Sequence, residues 1–211
     1  MDQKQYWDLV SNTKQFTTPF QEDVFSRFVG KDNMIVDVGC GYGRILKQLS
    51  DLGYEKLIGF DHSIGMVERG KREYPQLDLR LMEGEKIDLK EESADAVILF
   101  AVLTCIVSDE KQKKLISEIE RILRPGGILY VNDFLLNEDE RNRKRYEAYE
   151  DRFGVYGAFE LSEGAQVRHH SKEHIDKLLS SFREEVFEPV TFTTMNGNRS
   201  NGFFYIGRKQ G

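Results

Sequence analysis

Val36-Asp37-Val38-Gly39-Cys40-Gly41-Tyr42-Gly43-Arg44 joins the end of one apolar run to the start of a helical pattern. Met34 to Gly39 is short, apolar and closed by glycine, and Gly43 to Leu52 carries apolar residues at helical spacing. Lys56 to Asp61 is a second apolar run, so the three segments predict a βαβ unit with the glycine loop at the carboxyl end of its first strand. Glycines at 39, 41 and 43 let the backbone turn tightly and approach a ligand with no Cβ in the way. The helix start beyond them offers unpaired N–H groups to a polar or anionic group. Asp61 closes the second strand, where a carboxylate can accept hydrogen bonds from both hydroxyls of a ribose. The pattern predicts an adenosine-type ligand at the carboxyl end of a sheet.

The alternation continues outward from this loop. Ser63 can cap a helix that Pro75 ends, and Leu77 to Met82 alternates like a third strand. Asp95 to Leu103 reads as a fully buried strand. Ser108 and Asp109 open an amphipathic helix with Leu115, Ile116, Ile119, Ile122 and Leu123 on one face, which Arg124-Pro125-Gly126-Gly127 stops. Ile128 to Phe134 is the fifth strand. Beyond it, Asn137 to Arg152 is a charged helix candidate, Phe153 to His170 is irregular, and Ser171 to Phe182 is a short helix. Glu185 to Thr194 and Phe203 to Arg208 are strands joined through Met195 to Gly202, whose Asn-Gly pairs favour a hairpin. The expected fold is α/β, a doubly wound, mostly parallel seven-stranded sheet with an antiparallel hairpin strand at the C-terminal end.

The 211 residues, 39% hydrophobic and 31% charged, predict one compact domain. Its expected parts are an N-terminal lid or helical segment over 1–33, a ligand-binding core over 34–134, a cover over 135–170 and a closing helix and hairpin over 171–211. The longest apolar run, Ala96 to Val107, falls short of the roughly 18 residues a bilayer span needs, so no membrane partner is expected. The start, Met-Asp-Gln-Lys-Gln-Tyr-Trp, lacks the features of a secretory or transit segment, which predicts a cytoplasmic protein. Cys40 and Cys105 have neither disulfide-framework nor metal-ligand spacing, so no metal is expected. A net charge of −6 disfavours a broad nucleic-acid-binding surface.

Two cofactors fit the loop in principle. The dinucleotide fingerprint G-x-G-x-x-G would place its third glycine at 44, where Arg44 stands, so NAD and FAD are disfavoured. Asp37-x-Gly39-x-Gly41-x-Gly43 instead resembles the first motif of the class I S-adenosylmethionine-dependent methyltransferases. Gly59-Phe60-Asp61-His62-Ser63 with Met66 looks like that family's second-strand motif, and Glu83-Gly84-Glu85 like its turn beside the adenine. Asp95 to Ile98 is similar to its fourth strand, and Arg121 to Gly127 to the turn before its fifth. The similarity runs from about 34 to 134 and is uninformative about the acceptor.

The resemblance implies a Rossmann-like sheet and S-adenosylmethionine as cofactor, with S-adenosylhomocysteine as product. It implies that Asp37 and the backbone of Gly39 and Gly41 hold the methionine end and Asp61 the ribose hydroxyls, with Cys40, Gly43, His62 and Met66 also among the cofactor-binding residues. Ser63 or Ile64 would lie along the adenine, Glu85 would meet its amino group with Gly84, Lys86 and Ile87 beside it, and Phe100 would present its carbonyl to the methionine ammonium. Glu85 stands where the family more often has Asp, and Cys105 falls where many relatives place a His.

Acceptor chemistry is less sharply written. His169 and His170 stand before the short helix and are candidate bases, or else ordinary exposed loop residues. Asp133, at the end of the fifth strand, is either an acceptor contact or a loop carboxylate. Tyr146, Tyr149, Phe153, Tyr156 and Phe159 wall a pocket or form the core of the cover. Arg141, Arg143, Lys144 and Arg145 either meet an acidic substrate or form a solvated face against neighbouring Glu and Asp. Tyr6, Trp7 and Phe16 shield the cofactor or staple a helix to the sheet edge. The expected function is methyl transfer to an O or N atom of a small-molecule acceptor by a monomer or homodimer. The rival readings are a cofactor-binding regulatory protein without turnover and an NAD-dependent oxidoreductase.

Overall fold

The computed structural model describes residues 3–194 and 197–211. β1 (Ile35–Val38), β2 (Leu57–Asp61), β3 (Asp78–Leu81), β4 (Ala94–Phe100) and β5 (Leu123–Phe134) pair in parallel. β9 (Arg199–Lys209) runs antiparallel between β5 and β8 (Phe182–Thr193), which completes a seven-stranded sheet of order β3-β2-β1-β4-β5-β9-β8. All four β1 residues are buried, as a central strand covered on both faces requires. Pro189, which cannot donate to a ladder, is tolerated because β8 is an edge strand.

The two faces carry separate apolar clusters. On one, α3 (Arg44–Asp51) and α4 (Ile64–Glu73) set Leu46, Leu49 and Val67 against Ile35 and Ile98, joined by Phe25 of α2 (Glu22–Phe25). On the other, α5 (Asp109–Ile122) and α7 (Lys172–Leu178) set Ile116, Ile119, Ile122 and Ile175 against Val36, Val38 and Leu99. Ser63 and Ser108 cap α4 and α5 as their positions predicted, accepting from Met66 N at 3.1 Å and Lys111 N at 3.4 Å.

The structure departs from the sequence reading at several boundaries. β4 stops at Phe100, and Leu103, expected inside it, opens a 3-10 turn over Leu103–Cys105. β5 begins at Leu123 rather than Ile128, because Leu123 pairs with Ala94 and the Pro-Gly segment is a register irregularity within the strand. α6 covers Glu140–Phe153, and the region expected to be irregular holds a hairpin of β6 (Ala158–Glu160) and β7 (Gln166–Arg168). Gly202 lies within β9, and Met195 and Asn196 of the predicted hairpin turn lie outside the described residues. No helix among the described residues is long and apolar enough to cross a membrane.

The N-terminal helix α1 (Gln3–Val10) is tied across the carboxyl end of the sheet. Ser63 Oγ donates to Asp8 Oδ1 at 2.6 Å, Gly65 N donates to the same oxygen at 3.1 Å, and Arg69 donates to Ser11 O and Lys14 O at 2.9 and 2.7 Å. Ser63 thus both caps α4 and anchors α1. Ser63→Ala is expected to cost about 1–2 kcal/mol in urea denaturation. The cost should be non-additive with Asp8→Ala, because each change removes the same bond.

Candidate active site

The strand order reverses between β1 and β4, and a cavity of about 950 Å³ opens at the carboxyl ends of these strands. The loop after β1 forms its floor. Gly39 and Gly41 have φ of 75° and 57°, and a Cβ on them would lie 2.5 Å from Val102 Cγ2 and 2.9 Å from Phe16 Cε2. Glycine is needed at both positions for conformation and for space.

Asp37 is 1% exposed, lines this cavity, and neither of its carboxylate oxygens has a hydrogen-bond partner. Burial pushes its pKa up to about 7, with the Asp61 charge adding to the shift and Arg44 opposing it. With the folded-state value above the unfolded one, this carboxyl's contribution to stability is full below about pH 4 and is lost as pH rises through about 7. A cation bound beside it reverses that loss. Asp61 Oδ2 accepts from Gly41 N at 2.7 Å and Oδ1 from Ser63 N at 2.8 Å, which fixes the carboxylate and leaves each oxygen a further lone pair. Arg44 donates to Thr18 O at 2.8 Å and stands 5.2 Å from the Phe100 ring centre.

Most residues expected around the cofactor meet on this wall: Asp37, Gly39, Cys40 and Gly41 from the loop, and Asp61, His62, Ser63 and Met66 from the end of β2 and the start of α4. Gly84, Glu85 and Phe100 also line it, Glu85 being exposed and ion-paired to Lys114 at 3.3 Å. Gly43 and Lys86 do not. A Cβ on Gly43 would press on Leu77 and Leu79 at 3.1–3.2 Å, so that glycine serves packing between α3 and β3. Lys86 faces a separate, more open depression with Ile87 and Asp88. Tyr6, Trp7 and Phe16 lie on the cavity wall, with Phe16 stacked on Tyr42 at 5.3 Å.

An unpaired buried carboxylate, a cradle that excludes side chains and a second carboxylate with free lone pairs suit a ligand with a cationic amine and a ribose. S-adenosylmethionine presents both groups, and the donor set fits it.

The expected acceptor-side residues are placed differently from expectation. Asp133 is fully buried and absent from the cavity wall, where its carboxylate accepts from Thr104 N at 3.1 and 3.2 Å and from Phe134 N at 2.8 Å. Burial raises its pKa to about 7 against those backbone donors. It clamps the turn after β4. His169 and His170, expected in an exposed loop, are 6% and 1% exposed. His170 turns inward, Nε2 lying 2.9 Å from Gln112 Nε2 and Nδ1 3.2 Å from Phe134 O, and burial foremost lowers its pKa to about 3. His174, on α7, is half-buried with Nε2 2.7 Å from Gln112 Oε1.

His169 alone of the three predicted acceptor-side residues reaches the wall. Its Nδ1 lies 2.7 Å from Tyr146 Oη and 3.2 Å from Asn137 Nδ2. Asn137 Oδ1 accepts from Asn201 N at 2.8 Å, which sets the amide orientation and makes Nδ2 a donor to the ring. Nδ1 is therefore the acceptor, and the proton of the neutral ring sits on Nε2. Burial first, then Arg145 and His170, holds its pKa well below the usual histidine value.

Arg141 and Arg145 also line the cavity, whereas Lys144 turns outward to Glu140 at 2.6 Å. Four-residue spacing on α6 is the signal that separates the inward pair from the rest of the basic cluster. Of the aromatic series, Phe159 reaches the wall, Tyr146 is buried behind it, and Tyr149 stacks on Phe153 at 5.9 Å.

A methyltransferase-domain family model matches residues 36–131. The chain is 34% identical over 121 residues to a ubiquinone/menaquinone biosynthesis C-methyltransferase of Campylobacter jejuni, covering 54% of this chain and 50% of the relative. It is 30% identical over 106 residues to a probable S-adenosylmethionine-dependent methyltransferase of Mycolicibacterium smegmatis, covering 50% of this chain and 39% of the relative. The chain thus spans about half the length, or less, of these curated relatives. In fold it is similar to a solved S-adenosylmethionine-dependent methyltransferase from Methanosarcina mazei, with a TM-score of 0.85 over 92% of this chain and 99% of that one at 22% identity. Another likeness of fold is the geranyl diphosphate C-methyltransferase of Streptomyces coelicolor, solved with S-adenosyl-L-homocysteine, with a TM-score of 0.65 at 13% identity over 90% of this chain and 75% of that one. The family model falls on the segment that builds the cradle, the curated relatives are similar over about half of the chain, and the fold as a whole is similar to that of solved S-adenosylmethionine-dependent methyltransferases.

Proposed function

We propose that this protein transfers a methyl group from S-adenosylmethionine to an oxygen or nitrogen atom of a small-molecule acceptor. The observation that carries the reading is the Asp37 carboxylate, buried in the cradle with both oxygens unpartnered. Bound there, the cofactor supplies an electrophilic methyl group on a sulfonium. Asp37 pairs with the ammonium of its methionine end, and Asp61 accepts from the ribose hydroxyls with the lone pairs that Gly41 and Ser63 leave free. Trp7 and Phe16 on the wall exclude water from the reacting centre.

The placement of the expected bases supports an acceptor that needs alignment rather than deprotonation. Asp133 and His170 are off the wall and committed to other partners, and His169 presents an N–H. An amine in its free form or an anionic oxygen attacks with a lone pair already available.

Titration calorimetry tests the reading. Saturable binding of S-adenosylmethionine and S-adenosylhomocysteine is expected, with Asp61→Ala weakening both by about 10- to 100-fold. Binding of NAD in their place would support an oxidoreductase, and adenosyl-ligand binding without labelled methyl transfer to any amine or carboxylate screened would support a regulatory protein. Affinity for S-adenosylmethionine should rise from about pH 5 to about pH 7, approaching tenfold per unit, as Asp37 ionises. Asp37→Asn should flatten that rise.

A further inference from the structure

The part of the cavity farthest in sequence from the glycine loop is built by α6, the β6–β7 hairpin and the end of β5, and its chemistry is cationic. Arg145 lays its guanidinium on the Phe159 ring, 3.6 Å from the ring centre. Its Nε is buried without a hydrogen-bond partner, its guanidinium meets the Tyr146 side chain and feels Asp139 only at a distance, and among the described residues no ion pair joins it to a carboxylate. Among the described residues the two most deeply buried arginines both have a carboxylate partner, Arg69 in Glu73 and Arg168 in Asp109, whereas the partly buried Arg145 has none. Arg141, one turn earlier, has Asp139 only at 3.9 Å. Glu163, the carboxylate this end of the wall does carry, is paired with Lys14 at 3.1 Å. His169 lies edge-on to Phe159 at 5.0 Å and stacks on Phe134 at 5.5 Å, its Nδ1 taken by Tyr146 and Asn137.

A desolvated guanidinium without a counter-charge is costly, and a planar fork of donors matches a carboxylate or phosphate. Phe134 and Phe159 make the surroundings apolar, which strengthens such a pairing. We propose that the acceptor bears an anionic group, a carboxylate or a phosphate monoester, which Arg145 and Arg141 bind while His169 Nε2–H donates to it. The proposal rests on the methyltransferase reading for the word acceptor, and on the lobe's geometry alone for the anion site. It makes His169 a recognition residue rather than a base.

The test uses the full chain with benzoate, phenyl phosphate and neutral benzamide as probes, followed by ligand-observed NMR with and without saturating S-adenosylhomocysteine. Benzoate or phenyl phosphate is expected to bind at least about tenfold more tightly than benzamide, and the stronger of the two identifies the charged group. Arg145→Met, which keeps the aliphatic stem on Phe159, should erase that preference, a loss of about 10- to 100-fold, while Arg145→Lys retains part of it. S-adenosylhomocysteine affinity should stay unchanged in both variants and serves as the control for folding, while the thermal midpoint of Arg145→Met should not fall, because the substitution removes an unpaired charge. Benzamide binding as tightly as the anions, no anion binding at tens of millimolar, or full anion affinity in a folded Arg145→Met protein would each overturn the proposal and leave Arg145 a packing residue. If the anion probes bind but S-adenosylhomocysteine does not, the cofactor reading fails while the anion site stands.

Discussion

β1 is hydrogen-bonded along both edges, to β2 and to β4, and the chain leaving its carboxyl end must cross to one face while the chain leaving β4 crosses to the other. No helix can cover the point where the two diverge. The crevice is therefore a product of connectivity rather than of any particular side chain, and the glycine loop has only to keep its floor low. What the side chains add is charge, in a place where water is scarce.

That charge is unevenly distributed. Asp37 and Asp61 share the cradle, and burial acts on both, but only Asp61 receives backbone donors. Asp133, a strand away, is buried just as deeply and is spent on holding the Leu103–Cys105 turn. The three carboxyls are chemically identical, and the number of N–H groups each meets decides whether it serves the fold, a ligand or both. Asp37 is the one left for a partner from outside.

The cradle was legible in the sequence because its determinants are local: glycine spacing, the carboxylate closing the second strand and the serine that caps the next helix follow from short-range geometry. The acceptor end was not, because its chemistry depends on burial created by distant segments. Nothing near His169 in the chain announces that Asn137 and Tyr146 will meet its Nδ1 or that Asn201 will orient the Asn137 amide, yet they determine which nitrogen carries the proton. Arg145 looked like one member of a charged run until α6 turned it inward. The β6–β7 hairpin escaped notice because three-residue strands carry no usable alternation. Gly43 shows the reverse limit: its position in the motif suggests ligand contact, and only the fold shows that Leu77 and Leu79 also require a glycine there.

α1 supplies part of the cavity's roof, and it has eight residues. A helix that short has almost no stability of its own in water and exists because Asp8, Gln3 and the carbonyls that Arg69 holds tie it down. Without those ties a helix of this length would melt rather than persist as a rigid flap. The entropy recovered by the freed chain offsets part of the cost of breaking the contacts. A release of those ties would therefore couple this edge of the cavity to a helix–coil transition, an event whose intrinsic timescale is on the order of a microsecond.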